Sequence, residues 1–151
     1  MSVPGKPIVI LLVEDNMGDA GLAKHALRAW GGAHTLFHVQ DGVECLTFLR
    51  QEGDFADAPR PDLILLDINM PRMNGHETLK AIRADDLLRD IVVVVMTTST
   101  SDVDVSLCYQ RGANSYIAKP VEYDHYLSLM RQVGDYWSQV VRLPVFHGKA
   151  S

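Results

Sequence analysis

The residues best suited to chemistry are Glu14, Asp15, Asp67, Thr97 and Lys119. Each stands where an apolar run ends: Lys6 to Val13 runs into Glu14-Asp15, Leu63 to Leu66 into Asp67, Ile91 to Met96 into Thr97, and Ser115 to Ala118 into Lys119-Pro120. Burial disfavours a charge, so an apolar run has no reason of its own to end on a carboxylate. Taken singly, each residue has an ordinary explanation. Asp67 caps the next segment, Glu14 and Asp15 are first-turn acids, Thr97 is a β-former and Lys119 is a surface cation. Taken together, they bring three carboxylates, a hydroxyl and an ammonium to one place if the runs are parallel strands. Such a cleft suits a hard divalent cation, Mg²⁺ or Mn²⁺, because oxygen ligands from one or two carboxylates and a phosphoryl group meet its needs. Glu14, Asp15, Asp67 and the backbone carbonyl of Asn69 form the expected ligand set. Lys119 and Thr97 suit the outer oxygens of a phosphoryl group, leaving Asp67 as the nucleophile that accepts it.

The elements between these residues must place them on one edge. Lys6 to Val13 reads as a strand buried on both faces. Asn16 caps a helix with Ala20, Ala23, Leu27 and Trp30 at helical spacing, and Gly31-Gly32 ends it. Thr35 to Val39 is a short strand, and Asp41-Gly42 leads into a helix carrying Val43, Leu46 and Leu49. After the polar loop Gly53 to Pro61 come a strand at Asp62 to Asp67 and a helix from Gly75 to Ala84. Ile91 to Met96 is the most β-branched run and reads as a central strand. Asp102 to Gly112 is a helix, Ser115 to Ala118 a fifth strand, and Val121 to Val141 the last helix. Strand and helix thus alternate five times. The pattern predicts an α/β fold, a doubly wound five-stranded parallel sheet with helices on both faces. Ligands of such sheets bind outside the carboxyl ends of the strands, where the five residues fall.

Composition limits the alternatives. The 151 residues suit one domain, with a core of about 7–141 and a tail of 142–151; 47% hydrophobic and 22% charged residues are ordinary for a globular chain. A net charge of −5 with no basic patch argues against nucleic acid. No apolar run is long enough for a bilayer, and the amino terminus reads as a first strand rather than a signal peptide. Cys45 and Cys108 have no metal-ligand spacing and read as buried thiols of a cytoplasmic protein.

Glu14-Asp15, LLDINMPRMNG at 65–75, MTTS at 96–99 and SYIAKP at 115–120 together resemble the receiver domain of two-component response regulators. The likeness runs from about Ile8 to Val133 with element order intact. It implies a flavodoxin-like (βα)5 receiver with Asp67 as phosphoacceptor, Glu14 and Asp15 as metal acids, and Asn69 as a carbonyl ligand. It also implies Lys119 as the lysine paired with the phosphoryl group and a cis peptide between Lys119 and Pro120. Thr97 and Tyr116 take the switch positions, the threonine moving toward the phosphoryl group and the aromatic turning into the vacated space. Asn69 and Ser99 are placed to steer the water that hydrolyses the acyl phosphate. Thr98 stands where many receivers carry alanine, and its bulk is expected to narrow access for small donors.

The TTS run, the loop 51–60 and the ending DYWSQVVRLP are most similar to phytochrome-associated single-domain regulators. That implies a histidine kinase as donor, a bacterial phytochrome among the candidates. The expected output is contact with another protein or phosphotransfer to a histidine phosphotransfer protein, without enzymatic activity beyond self-phosphotransfer and self-dephosphorylation. Tyr126, Met130, Val133, Trp137 and Val140 make one apolar stripe on the last helix. Tyr136, Trp137, Val140 and Val141 extend beyond the sheet and are the candidate homodimer contacts. The alternatives are a phosphorylation-independent adaptor and a chemotaxis-type regulator. A haloacid dehalogenase-type phosphatase needs an acid where Asn69 stands. A flavodoxin-type cofactor site needs a phosphate loop where EDNMGDAG places acids.

Overall fold

The computed structural model describes residues 6–146. Its sheet has the order β2-β1-β3-β4-β5, with β1 at Ile8–Val13, β2 at His34–Val39, β3 at Leu63–Leu66, β4 at Val92–Thr97 and β5 at Ser115–Ala118. All neighbours are parallel, and Val13 lies beside Leu66, which in turn lies beside Val95. This register brings the carboxyl ends of β1, β3 and β4 level. The helices are α1 (Met17–Trp30), α2 (Gly42–Leu49), α3 (Gly75–Ala84), α4 (Asp102–Gln110) and α5 (Tyr123–Asp135).

Strand pleating divides the core into two layers. Leu11, Val13, Ile64, Leu66, Val93 and Val95 point to one face, under Cys45, Phe48, Leu79, Ile82 and Cys108 of α2, α3 and α4. Ile10, Leu12, Leu63, Leu65, Val92, Val94 and Met96 point to the other, under Ala20, Ala23, Leu27, Tyr126, Met130 and Val133 of α1 and α5. The continuous apolar strands are the sequence expression of this two-sided burial. Both cysteines are buried, and burial pushes the Cys45 thiol up to about 12 and the Cys108 thiol up to about 11.

Boundaries differ from expectation for local reasons. β1 begins at Ile8, because Lys6 is exposed and Pro7 has no N–H to give a ladder. Asp62 lies just outside β3, and its Oδ2 accepts a hydrogen bond from the Val9 N–H at 2.8 Å. Gly31 adopts φ 78° and ends α1 with its N–H on the Leu27 carbonyl. The last helix is interrupted: after α5 comes a wide π-turn, Tyr136–Val140, closed by the Val141 N–H on the Tyr136 carbonyl at 3.1 Å. The turn changes the helical phase, so the expected stripe breaks. Tyr126, Met130 and Val133 are buried, Trp137 is half-buried, and Val140 is exposed. Residues 142–146 then cross the amino-terminal edge of the sheet, where the Arg60 guanidinium lies 3.7 Å from the Phe146 ring centroid. A cavity of about 670 Å³ lies there, with Trp30, Arg60, Trp137 and Phe146 among its walls.

The expected cis peptide at Lys119-Pro120 is not present: the described residues contain no cis peptide bond. The trans form is the intrinsically favoured one. With it, Lys119 still turns into the site, because its N–H donates to the Thr97 carbonyl at 2.7 Å and continues the β4–β5 pairing.

Candidate functional site

At the carboxyl edge, backbone pairing fixes the acids before side chains act. The Glu14 N–H bonds the Val39 carbonyl at 3.0 Å, and the Asp67 N–H bonds the Val13 carbonyl at 3.1 Å. Glu14, Asp15 and Asp67 each offer a carboxylate oxygen, and these three oxygens lie within 4.8 Å of one another. Glu14 and Asp67 are buried at 3% and 8% exposure, whereas Asp15 is open to solvent. This donor set is all oxygen and strongly anionic, so it fits a hard divalent cation. Burial raises the Glu14 pKa and the Asp67 charge adds to the rise, against the opposing hydrogen bond from Lys119. Asn69 is exposed on the loop that follows Asp67.

Lys119 donates to Glu14 Oε1 at 2.5 Å and to Asp19 Oδ2 at 3.2 Å, and has no ion pair with Asp67 within 4.0 Å. Burial alone would lower its pKa. The hydrogen bond and charge of Glu14, with Asp67 and Asp19 behind it, outweigh burial and raise it. Thr97 is fully buried, and its Oγ1 is the one buried side-chain polar atom among the described residues without a hydrogen-bond partner. Such an unmade bond costs about 1–3 kcal/mol, and an arriving acceptor oxygen would recover it.

Tyr116 is half-buried, and its hydroxyl donates to the Ser99 carbonyl at 2.9 Å. The Ser99 hydroxyl donates to Asp104 Oδ2 at 2.7 Å, so it is turned toward α4. Thr98 is exposed beside the site. Of the candidate interface residues, Tyr136 and Val140 are 47% and 69% exposed, while Trp137 and Val141 are half-buried and line the cavity at the opposite edge.

Sequence reasoning missed several residues that position the site. Asp19 shares Lys119. Asp41, the N-cap of α2, accepts from Arg72 Nε at 2.8 Å, and Gly42 donates to the Met73 carbonyl at 3.2 Å. These two contacts pin the loop that carries Asn69, with Arg72 itself at φ 62°. His76 Nε2 lies 3.0 Å from Asp104 Oδ1 and joins α3 to α4. The Asn74–Glu77 capping box that starts α3 was legible as N-x-x-E spacing. The long-range pairs carried no local signal.

Residues 10–131 match the family of the response regulator receiver domain. The chain belongs to that family. It is 37% identical over 138 residues to the response regulator Rcp1 of Synechocystis sp., covering 91% of this chain and 94% of that protein. Its fold superposes with a TM-score of 0.88 on the phosphorylated cyanobacterial phytochrome response regulator RcpA, at 38% identity, covering 93% of this chain and 100% of that one. It superposes with a TM-score of 0.85 on the Mn²⁺-bound form of Rcp1, at 37% identity, covering 92% of this chain and 100% of that one. The protein is therefore a receiver-domain response regulator related to the phytochrome response regulators, a signalling protein rather than a classical enzyme. The flavodoxin-like receiver fold expected from the sequence is the fold observed. Receiver domains bind a divalent metal, and an acidic cluster of Glu14, Asp15 and Asp67 is present in this chain. Among the described residues, no helix is long and apolar enough to cross a membrane.

Proposed function

We propose that Asp67 accepts a phosphoryl group from a phosphohistidine of a histidine kinase, a bacterial phytochrome being the kinase type that the relatives favour. The observation that carries this reading is the buried, unpartnered Thr97 hydroxyl at the same edge as the acid trio and Lys119. An Asp67 carboxylate oxygen attacks phosphorus, the bond from phosphorus to the imidazole nitrogen breaks, and the imidazole leaves as the neutral base after taking a proton. Glu14, Asp15, Asp67 and the Asn69 carbonyl would hold Mg²⁺, which would supply neutralisation of phosphoryl charge. Lys119 and Thr97 bind the outer oxygens. Water later hydrolyses the acyl phosphate, and Asn69 and Ser99, each two positions after a reacting residue, Asp67 and Thr97, are the side chains assigned to steer it.

The added group brings about −1.5 to −2 charges and strong acceptor oxygens. Thr97 moves to meet it, and Tyr116 carries the change into the loop before α4 through its bond to the Ser99 carbonyl. The α4–β5–α5 face is the output surface, for homodimerisation through Tyr136 and Val140 or for a protein partner such as a histidine phosphotransfer protein. Trp137 and Val141 contribute less, being packed against their own chain. A cytoplasmic location and a single domain over 1–151 complete the reading.

Intact mass after incubation with Mg²⁺ and acetyl phosphate tests it, with Asp67→Asn in parallel and phosphorylated histidine kinase as a second donor. Gain of one phosphoryl group by the parent alone is expected. No gain from either donor would favour a phosphorylation-independent adaptor.

A further inference from the structure

Lys119 is shared between two carboxylates of different standing. Glu14 is 4% exposed in its side chain and belongs to the acid trio; Asp19, in the first turn of α1, is 45% exposed and lies outside it. A cation in the trio draws on Glu14 and weakens its hold on the ammonium. Asp19 is free of that demand and keeps its claim at 3.2 Å. Lys119 is only 12% exposed, so water replaces a lost partner poorly and the ammonium rests on whichever carboxylates remain. A phosphoryl group on Asp67 must therefore win Lys119 from Asp19.

We propose that Asp19 is a positioning residue that parks the Lys119 ammonium away from Asp67, and so weakens the hold of the site on a phosphoryl group. The inference rests on Asp67 being the phosphoacceptor. Asp19 also has an ordinary task, since an acid in the first turn suits the helix dipole and its N–H donates to the capping Asn16 side-chain oxygen at 2.9 Å. That task bears on folding stability, not on phosphoryl affinity, and the two separate by experiment.

Beryllofluoride, an unreactive phosphoryl mimic, is titrated into the full chain at Mg²⁺ saturating for each variant and followed by ¹⁹F NMR, with circular dichroism confirming the fold. Asp19→Asn and Asp19→Ser should each tighten binding about fivefold, the upper end of what a partly exposed ion pair contributes. Asp19→Glu, which keeps the carboxylate, should stay close to the parent. The Lys119 ammonium nitrogen should shift in Asp19→Asn before any beryllofluoride is added. Unchanged or weaker binding in Asp19→Asn, or equal tightening in Asp19→Glu, overturns the inference. A parent that binds no more beryllofluoride than Asp67→Asn overturns the phosphoacceptor reading itself, a result distinct from either.

Discussion

Gly75 lies against Asp67 so closely that a β-carbon on it would overlap the Asp67 carbonyl oxygen and come 2.7 Å from the Ile68 Cα. The Gly75 N–H also donates to the Ile68 carbonyl at 2.8 Å, so the start of α3 and the end of β3 form one packed corner. The obstacles are backbone atoms, which cannot rotate aside. Gly75→Ala should destabilise by about 1–3 kcal/mol and slow phosphoryl uptake together, because relief of the clash moves Asp67. Urea unfolding and intact mass on the same samples would check this.

Metal should act as a folding ligand. At a hundredfold excess over its dissociation constant, Mg²⁺ should add about 2.7 kcal/mol. That corresponds to roughly 5–10 °C in melting temperature for a chain of this size. Asp15→Asn and Asp67→Asn should lose most of the gain. Thermal melts with and without chelator measure it.

Without metal, Glu14 should make the protein less stable as pH rises. Its folded pKa lies above the ordinary 4.5, chiefly through burial, so the native state holds the proton more firmly than the unfolded chain. The resulting stability is fully present below 4.5 and is lost as pH climbs through the raised value. Glu14→Gln should flatten this decline in chelator-treated samples unfolded by urea across the acid to neutral range.

Asp104 has the opposite sign. The Ser99 hydroxyl first, and His76 second, hold its pKa below the ordinary 3.8. Its contribution is present above 3.8 and disappears as pH falls through the depressed value. Asp104→Asn should remove that part of the acid transition. It should also loosen α3 from α4, detectable as faster amide exchange in the loop between Ser99 and Ser101.

Thr98 is exposed, so Thr98→Ala should leave stability within about 0.5 kcal/mol. Uptake from acetyl phosphate should rise severalfold if its bulk screens the site. Transfer from a phosphorylated kinase should change less. Time courses with the two donors separate the effects.

The strands and the acid trio were legible because burial on both faces leaves uninterrupted apolar runs, and a charge ending such a run stands out. Lys119 was legible for the same reason, but its partner Asp19 was not. They lie 100 positions apart, and nothing local singles out Asp19 from Glu14 and Asp15 on the β1–α1 segment. The stripe of the last helix failed at Trp137 and Val140 because periodicity assumes a constant pitch, and the π-turn at Tyr136–Val140 changes it. The trans Lys119-Pro120 bond shows a limit of another kind: the expectation came from family likeness, and no residue in this chain demanded it.

Both tryptophans of the chain, Trp30 and Trp137, border the cavity at the amino-terminal edge of the sheet, whereas the acids and Lys119 occupy the carboxyl edge. Intrinsic fluorescence is thus a remote listener. Quenching by a metal in the acid trio has no short path to either indole. A change in emission after phosphoryl transfer would mean that the perturbation had crossed the length of the sheet, and its absence would confine the switch to the near end.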